Sequence, residues 1–225
     1  MKDKVVAVTG ACGSLGRVVV AELASRGSIP LAVDIAAGPA PTGAAHAVLG
    51  IDIADFEIAQ RAIETLVGKA GRLDGLVNIA GGFTWQKIVD GPHSEWDRLH
   101  RLNFSTALSM SRAALPYLVA THGAIVNIGA AAAIKAAAGM SAYAASKSAV
   151  AKLTESLADE VKDSRVRVNA VLPSIIDTAA NRREMPHAEF DRWVTPAALA
   201  NVIIFLLSEA AEAVTGALVP VTGRV

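Results

Sequence analysis

The sequence is poor in the features that mark several classes of protein. Only one of its 225 residues is a cysteine, Cys12, which excludes an internal disulfide framework and is typical of cytoplasmic proteins. The 21 basic and 21 acidic residues give a formal net charge of zero, which argues against nucleic acid as the main partner. No uninterrupted apolar stretch is long enough to cross a bilayer, and residues 1–4 do not begin a signal peptide. We therefore expect a cytoplasmic protein that binds neither membranes nor nucleic acids.

Metal ligands and tryptophans are scarce as well. The five histidines are scattered and show no i, i+4 pairing, so the sequence predicts no metal site. We interpret Cys12 as a small packing residue rather than a redox group. Trp85 and Trp193 fall in predicted loops, where each has two alternative roles, packing or lining a substrate pocket.

What is present is an alternation of short apolar segments with segments of helical periodicity, without a linker. The length suits one domain with a substantial core. We predict a single α/β domain over residues 1–225, a Rossmann-type doubly wound parallel sheet flanked by helices, with ligands beyond the carboxyl ends of the strands. The predicted strands are Val5–Val8, Ile29–Val33, Ala47–Ile51, Leu73–Ile79, Ala124–Ile128, Arg165–Leu172 and Ala217–Val221. The predicted helices are Arg17–Gly27, Phe56–Ala70, two within His93–His122, Ser141–Lys162 and Pro196–Ser208.

A glycine-rich segment, Thr9–Gly16, joins the first predicted strand to the first predicted helix. This context favours a dinucleotide-binding loop, because glycines let the backbone approach a pyrophosphate and the helix N-terminus supplies amide donors. Asp34 follows about 20 residues later, where a carboxylate meets the ribose hydroxyls of NAD. The alternative is that the glycines only form turns and that Asp34 is a polar residue at a strand end.

Tyr143 and Lys147 are the candidate catalytic pair. A helix over this segment places both side chains on one face, because they are four residues apart. An ammonium group near a phenol stabilises the phenolate and lowers the pKa of the phenol, as a general acid/base near neutral pH requires. By itself the Tyr-x-x-x-Lys pattern is weak, since many helices carry both residues by chance.

In their order along the chain, these motifs resemble the short-chain dehydrogenase/reductase family. The matching landmarks are the glycine loop, Asp34, Asp52–Ile53, Asn78–Gly81, Asn103, Ile125–Ile128, Tyr143 with Lys147, and Pro173–Thr178. The resemblance implies an NAD(H)-dependent oxidoreductase acting on a small molecule and assembled as a homodimer or homotetramer.

The resemblance also implies roles for individual residues. Tyr143 would be the acid/base, Lys147 would lower the pKa of Tyr143 and hold the nicotinamide ribose, and Asn103 would support a proton relay. The implied cofactor-binding residues are Gly10, Gly13, Ser14, Leu15, Gly16, Asp34, Asp52, Ile53, Asn78, Ala80, Gly81, Tyr143, Lys147, Pro173, Ile176 and Thr178.

The sequence departs from the family pattern at one chemically important position. Ala130 stands where the family carries a serine that helps to hold the substrate oxygen, and Ser141 lies too close to Tyr143 along the chain to replace it. Ser14 and Ile79 are smaller departures in the cofactor motifs. The missing serine either slows carbonyl chemistry or indicates a substrate without a carbonyl oxygen to hold. A rival interpretation is a dinucleotide-binding sensor or scaffold without turnover.

Two segments, Gly129–Met140 and Ala170–Phe190, resemble the dihydropteridine reductase branch of the family, which also lacks the serine. That resemblance implies a quinonoid dihydropterin as substrate, with an aldehyde or ketone as the broader alternative. The segment 174–193 is expected to be a lid whose Arg182, Arg183 and Glu184 form a solvated loop face. We expect an apolar stacking wall for a flat ring formed by Met185, Phe190, Trp193 and Trp85.

We expect NADH to be preferred over NADPH. Asp34 would accept the ribose hydroxyls and repel a 2′-phosphate, and the next four residues, 35–38, offer no cation. Arg17 is the nearest candidate cation, and we expect it on the helix surface.

Overall fold

The computed structural model describes residues 1–225 and contains one seven-stranded sheet with seven α-helices. The strands are β1 Val5–Thr9, β2 Ile29–Asp34, β3 His46–Leu49, β4 Gly75–Asn78, β5 Ala124–Ile128, β6 Arg167–Pro173 and β7 Leu218–Val221. The helices are α1 Ser14–Ser25, α2 Phe56–Ala70, α3 Ser94–His100, α4 Thr106–Thr121, α5 Ser141–Glu160, α6 Ala179–Glu184 and α7 Pro196–Leu207.

All neighbouring strands are parallel, in the order β3-β2-β1-β4-β5-β6-β7. From β1 the chain first adds β2 and β3 on one side of the sheet. It then returns to the other side of β1 and adds β4 to β7. At this switch point the connections after β1 and β4 leave in opposite directions, which opens a crevice at the carboxyl ends of the strands. The Rossmann-type fold predicted from the sequence is confirmed.

The sheet is buried on both faces because each strand alternates its apolar side chains between two cores. On one face Val5 and Ala7 join a cluster of 21 buried residues that includes side chains of α2, α4 and α5. On the other face Val6 and Val8 join a second cluster of 21 buried residues with side chains of α1 and α7.

Local sequence signals fix several helix ends. The Asp55 carboxylate accepts hydrogen bonds from the amides of Glu57 and Ile58 and caps α2, which ends at Gly71 in the left-handed conformation, φ 81°. Thr195 caps α7 ahead of Pro196 at its first turn. These connections are therefore determined mainly by local chemistry.

The structure also shows features that the sequence did not predict, and several element ends shift by one to three residues. Residues 179–184 form the short helix α6 rather than a loop, although Arg182, Arg183 and Glu184 are exposed as expected. Strand β6 begins at Arg167, because Arg165 adopts a left-handed conformation with φ 58° that no strand accommodates. The two helices predicted within residues 93–122, α3 and α4, are joined by a π-helical turn, Arg101–Ser105.

None of the helices is both long enough and apolar enough to cross a membrane.

Candidate active site

The glycine loop lies at the switch point, between β1 and α1. Gly10 has a left-handed φ of 62°, and a Cβ atom there would lie 2.8 Å from the amide nitrogen of Ala80 after β4. A Cβ atom on Gly16 would lie 2.1 Å from the carbonyl oxygen of Gly10. Both positions therefore require glycine for close backbone approach.

The start of α1 is open to an anion. Gly13 precedes the helix and supplies no side-chain cap. Gly13 and Ser14 are exposed, whereas Leu15 and Gly16 are buried. The first-turn amides of a helix without such a cap keep their donors free, and the helix dipole adds positive potential. The loop therefore has the donors and the space for a pyrophosphate.

Asp34, at the end of β2, lies against the same loop. Its Oδ2 accepts a hydrogen bond from the Cys12 amide at 2.7 Å, and its Oδ1 accepts one from the Ala36 amide at 2.8 Å. Each carboxylate oxygen has a further lone pair for a ribose hydroxyl. Burial and the nearby Asp34 raise the pKa of the Cys12 thiol, which therefore stays neutral at physiological pH.

Arg17 is exposed on the surface of α1, as expected from the sequence. Its Nε donates a hydrogen bond to the Cys12 carbonyl at 2.8 Å, so the guanidinium lies beside the glycine loop.

Asp52 follows β3 at the same edge of the sheet. Its Oδ2 accepts a hydrogen bond from Arg101 at 2.8 Å and its Oδ1 accepts one from the Ala54 amide at 3.0 Å. The hydrogen bond from Arg101 is the main reason why the pKa of Asp52 lies below its usual value. Ile53 is buried in the core, so its side chain serves packing.

The Asn78 side chain makes its hydrogen bonds in the protein interior. Its Nδ2 donates to Asn127 Oδ1 at 2.9 Å and to Ser111 Oγ at 3.0 Å, and Asn78 is only 3% exposed. This network ties the ends of β4 and β5 to α4. The backbone after β4 is fixed by Thr9, whose hydroxyl accepts the Ala80 amide at 3.1 Å.

The structure brings Asn103, Gly81 and Lys147 together. A Cβ atom on Gly81 would lie 2.5 Å from Asn103 Oδ1 and 3.4 Å from Lys147 Nζ, so both polar groups line the backbone after β4. Lys147 Nζ donates a hydrogen bond to the Ile128 carbonyl at 2.7 Å. Lys147 therefore lies between the ends of β4 and β5, one helical turn from Tyr143 on α5.

Asn103 lies in the π-helical turn, and its side-chain amide holds the Gly82 backbone and the Ser146 hydroxyl together; we call this arrangement the Asn103 clamp. Its Oδ1 accepts the Gly82 amide at 2.9 Å, its Nδ2 donates to the Gly82 carbonyl at 3.1 Å, and Nδ2 also donates to Ser146 Oγ at 3.0 Å. π-turns are frequent at functional sites because they redirect a side chain within a helix. Here the Asn103 side chain joins the loop after β4 to helix α5, which carries the candidate pair Tyr143 and Lys147.

Burial controls the ionisation of the candidate catalytic pair. It raises the pKa of Tyr143 to about 12 and lowers the pKa of Lys147 to about 8. Both shifts disfavour the charged form of the group in a low-dielectric site. The pKa of Tyr143 therefore lies above its usual value rather than below it as expected, because desolvation is the cause of the shift in both groups.

No serine replaces the hydroxyl missing at position 130. Ala130 is buried at 4% exposure. The hydroxyl of Ser141 is buried without a hydrogen-bond partner, but Ser141 and Tyr143 are only two positions apart in the helix, which directs their side chains to different faces. Ser146 is engaged by Asn103 and by the Tyr143 carbonyl, to which it donates at 2.7 Å.

Trp85 lies apart from the other aromatic residues of the predicted wall. Trp193 is only 7% exposed and packs edge-on against Phe190. Trp85 is 54% exposed and lines a cavity of about 430 Å³, whereas Trp193 lines a different cavity of about 270 Å³ with Glu189, Arg192 and Val225. The sequence places these residues in loops near the site but does not determine which loops share a cavity.

Phe83, which the sequence analysis did not assign to the site, contacts Tyr143. Its ring lies 4.9 Å from the ring of Tyr143, at an interplanar angle of 87°. The sequence feature that could have indicated this contact is the position of Phe83 directly after Ala80–Gly82, in the loop that follows β4.

The segment after β6 carries the last three implied cofactor residues. Pro173 pairs with Val221 at the end of the sheet, and Ile176 forms a parallel bridge with Val194. Thr178 caps α6 by accepting the Asn181 amide at 3.2 Å. These contacts fold the segment back against β7 and the start of α7.

The structure contains no group of three or more His, Cys, Asp or Glu side chains arranged to hold a metal ion.

Comparison with known proteins agrees with this geometry. Residues 4–189 match the family described as short chain dehydrogenase. The chain is 30% identical over 236 residues to meso-2,3-butanediol dehydrogenase of Serratia marcescens, covering 98% of this chain and 94% of that protein. It is 31% identical over 246 residues to 2-(S)-hydroxypropyl-CoM dehydrogenase 3 of Xanthobacter autotrophicus, covering 99% and 96%.

A solved structure gives the same result in three dimensions. Carveol dehydrogenase from Mycobacterium avium, in complex with NAD, superposes with a TM-score of 0.87 and 26% identity, covering 99% of this chain and 97% of that one. With the glycine loop, the Asn103 clamp and the α5 pair in place, these similarities show that the chain belongs to the short-chain dehydrogenase family of oxidoreductases.

Proposed function

We propose that the protein is an NAD(H)-dependent oxidoreductase that transfers hydride between the nicotinamide and a small planar or carbonyl substrate. The observation that carries this proposal is the convergence of Asn103, Gly81 and Lys147 beside the helix turn that bears Tyr143, at the crevice that the glycine loop enters. Uncapped amides, loop glycines and a backbone cradle at Gly81 fit a dinucleotide.

The proposed cofactor site extends along the carboxyl edge of the sheet. The residues assigned to it are Gly10, Gly13, Ser14, Leu15, Gly16, Asp34, Asp52, Ile53, Ala80, Gly81, Tyr143, Lys147, Pro173, Ile176 and Thr178, and Asn78 supports it from the interior. Asp34 favours NAD(H) over NADP(H), because a carboxylate already holding the loop would repel a 2′-phosphate. The bound nicotinamide would supply or accept the hydride.

In this mechanism Tyr143 is the proton donor. With a pKa of about 12 the phenol is protonated at neutral pH, which suits an acid that protonates the substrate atom as it gains electron density. Ala130 offers no second donor, so Tyr143 holds that atom without help from position 130. Lys147, with a pKa of about 8, can lose and regain a proton near working pH and lies at the Asn103 clamp.

The specific substrate we propose is a quinonoid dihydropterin. Its electron-poor ring accepts hydride and requires a proton at nitrogen, so a serine that grips an oxygen is dispensable. The names of the two relatives, which refer to secondary alcohols, support an aldehyde or ketone as the broader alternative. A sensor without turnover is not favoured, because Asn103, Tyr143 and Lys147 are all present and assembled.

Steady-state NADH oxidation tests the proposal, with freshly generated quinonoid dihydropterin and with 2,3-butanedione as substrates. A kcat/KM within the range of about 10⁴–10⁸ M⁻¹s⁻¹ identifies a good substrate. A far lower value for the pterin would remove the pterin assignment and leave the oxidoreductase assignment intact.

Replacement of Tyr143 by Phe tests the mechanism. We expect NADH binding to persist while kcat falls by on the order of 10²–10⁴, the usual contribution of general acid/base catalysis. Tyr117→Phe is the matched control, because Tyr117 is the other tyrosine of the chain and lies in α4. Full activity of Tyr143→Phe would exclude this residue from the chemistry.

We also propose a cytoplasmic homodimer or homotetramer. The single half-buried thiol of Cys12 suits a reducing compartment. Exposed apolar side chains on α4, Leu108 and Val119, offer a surface for self-association.

A further inference from the structure

Phe83 is an exposed aromatic ring fixed beside the proposed proton donor. Its side chain is 51% exposed, and its ring makes an edge contact with Tyr143 at 4.9 Å. A large aromatic side chain in contact with a catalytic group and half open to solvent has one surface available to a ligand.

The backbone that carries Phe83 is held rigidly. Both polar groups of the preceding residue, Gly82, are bonded to the Asn103 side chain, at 2.9 Å and 3.1 Å. A Cβ atom on Gly82 would lie 2.8 Å from a methyl carbon of Leu102, so the chain is also packed closely on this side. An aromatic ring on a fixed backbone loses little conformational freedom when a ligand stacks on it.

Phe83 is one of several exposed apolar side chains in two neighbouring loops. The loop after β4 and the loop before α5 together expose Phe83, Trp85, Ile88, Val89 and Ile134, half of the ten exposed large apolar residues of the chain. Trp85 joins the two loops, because its indole Nε1 donates a hydrogen bond to the Ala138 carbonyl at 3.1 Å. Both loops border α5 and its Tyr143.

From this geometry we infer that Phe83 is a specificity-determining residue, a stacking platform that selects substrates with a flat conjugated ring over small acyclic ones. The inference rests on the proposed function, since it places the substrate beside Tyr143. Without a serine at position 130 to grip an oxygen atom, contact with the ring face orients the substrate instead.

The test compares two α-dicarbonyl probes that differ in the flat ring, 9,10-phenanthrenequinone and 2,3-butanedione. Dissociation constants are measured by calorimetry with NAD⁺ saturating, and kcat/KM is measured with NADH after subtraction of the enzyme-free rate. Phe83→Leu is expected to weaken binding of the quinone about tenfold, equivalent to about 1.4 kcal/mol, and to leave 2,3-butanedione within about twofold.

Two further variants control for structural damage. Phe83→Tyr keeps the ring and should retain the preference for the quinone. Phe205→Leu removes an equally exposed phenylalanine, 46% exposed on α7, and should change neither probe.

The possible results separate the platform from the proposed function. Failure of the unmodified protein to bind the quinone more tightly than butanedione would overturn the platform, as would an equal loss of both probes in Phe83→Leu. Selective binding of the quinone without any NADH oxidation would support the platform and count against oxidoreductase activity on flat dicarbonyls.

Discussion

At the scale of single residues, Lys147 shows how an active site can lower the stability of the fold. Burial lowers the pKa of this group from 10.5 to about 8, so the folded state releases a proton that the unfolded state retains between those values. Stability must therefore rise as the pH increases from about 8 to about 10.5, because the unfolded state binds more protons in that window. Tyr143 acts in the opposite direction above pH 10, since its raised pKa leaves the folded state protonated while the unfolded state ionises.

The corresponding prediction is that Lys147→Met stabilises the protein near neutral pH. The expected gain is about 3 kcal/mol at pH 7, and it should shrink towards pH 10 as the unmodified lysine loses its proton. Urea denaturation of both proteins at the two pH values measures it. A difference that does not change with pH would show that packing, rather than ionisation, controls the effect.

Cofactor choice is also decided at the scale of one residue. Asp34→Ala removes the negative charge beside the loop. The dissociation constant of NADPH divided by that of NADH should therefore fall by about tenfold or more. Asp34→Asn retains an acceptor for the Cys12 amide and separates the loss of charge from a loss of loop structure. Calorimetric titration with both dinucleotides gives the ratio. Tighter binding of NADPH to the unmodified protein would overturn the proposed preference.

At the scale of elements, α6 and its flanking residues, which we propose as a lid, are folded rather than an open loop. Arg182 pairs with both carboxylate oxygens of Asp177, at 2.6 Å and 2.8 Å, and its guanidinium lies 4.7 Å from the ring centre of Phe190. This one side chain therefore joins the two ends of the segment. The hydrogen bond from Arg182 also keeps the pKa of Asp177 below its usual value.

We expect Arg182→Ala to loosen this lid without unfolding the sheet. Cleavage of residues 178–193 by chymotrypsin should accelerate, and the KM for NADH should rise, whereas the melting temperature should change little because the ion pair is exposed. Arg183→Ala, at the exposed neighbouring position, is the control. Unchanged proteolysis in Arg182→Ala would mean that the bridge between Ile176 and Val194 is sufficient to hold the lid.

At the scale of the whole molecule, the prediction concerns the oligomeric state, which light scattering measures. Leu108 and Val119 are exposed on α4 and lie on the same side of the helix, because 11 residues make about three turns. If this face forms the proposed interface, light scattering should give a dimer or tetramer at micromolar concentration, and Leu108→Glu should shift the mass towards the monomer. Val89→Glu, at a 90% exposed loop position, should not. A monomeric mass for the unmodified protein would contradict the proposal.

The sequence by itself determined the fold class, the order of strands and helices, and most of the residues at the crevice. It could do so because strand alternation, helix periodicity and the glycine loop are local patterns, and a parallel sheet brings all strand ends to one edge. Asp34, Gly10 and Gly16 lie where those patterns predict.

Only the tertiary structure decided which side chains face the crevice and how they ionise. The Asn78 amide is drawn into the interior by Asn127 and Ser111, partners that are 49 and 33 residues away along the chain. Burial, which depends on every surrounding element, reversed the expected pKa shift of Tyr143. The aromatic ring beside Tyr143 belongs to Phe83 rather than to Trp193. The packing of separate loops, and not any pattern along the chain, determines which aromatic ring lies next to the helix that carries Tyr143.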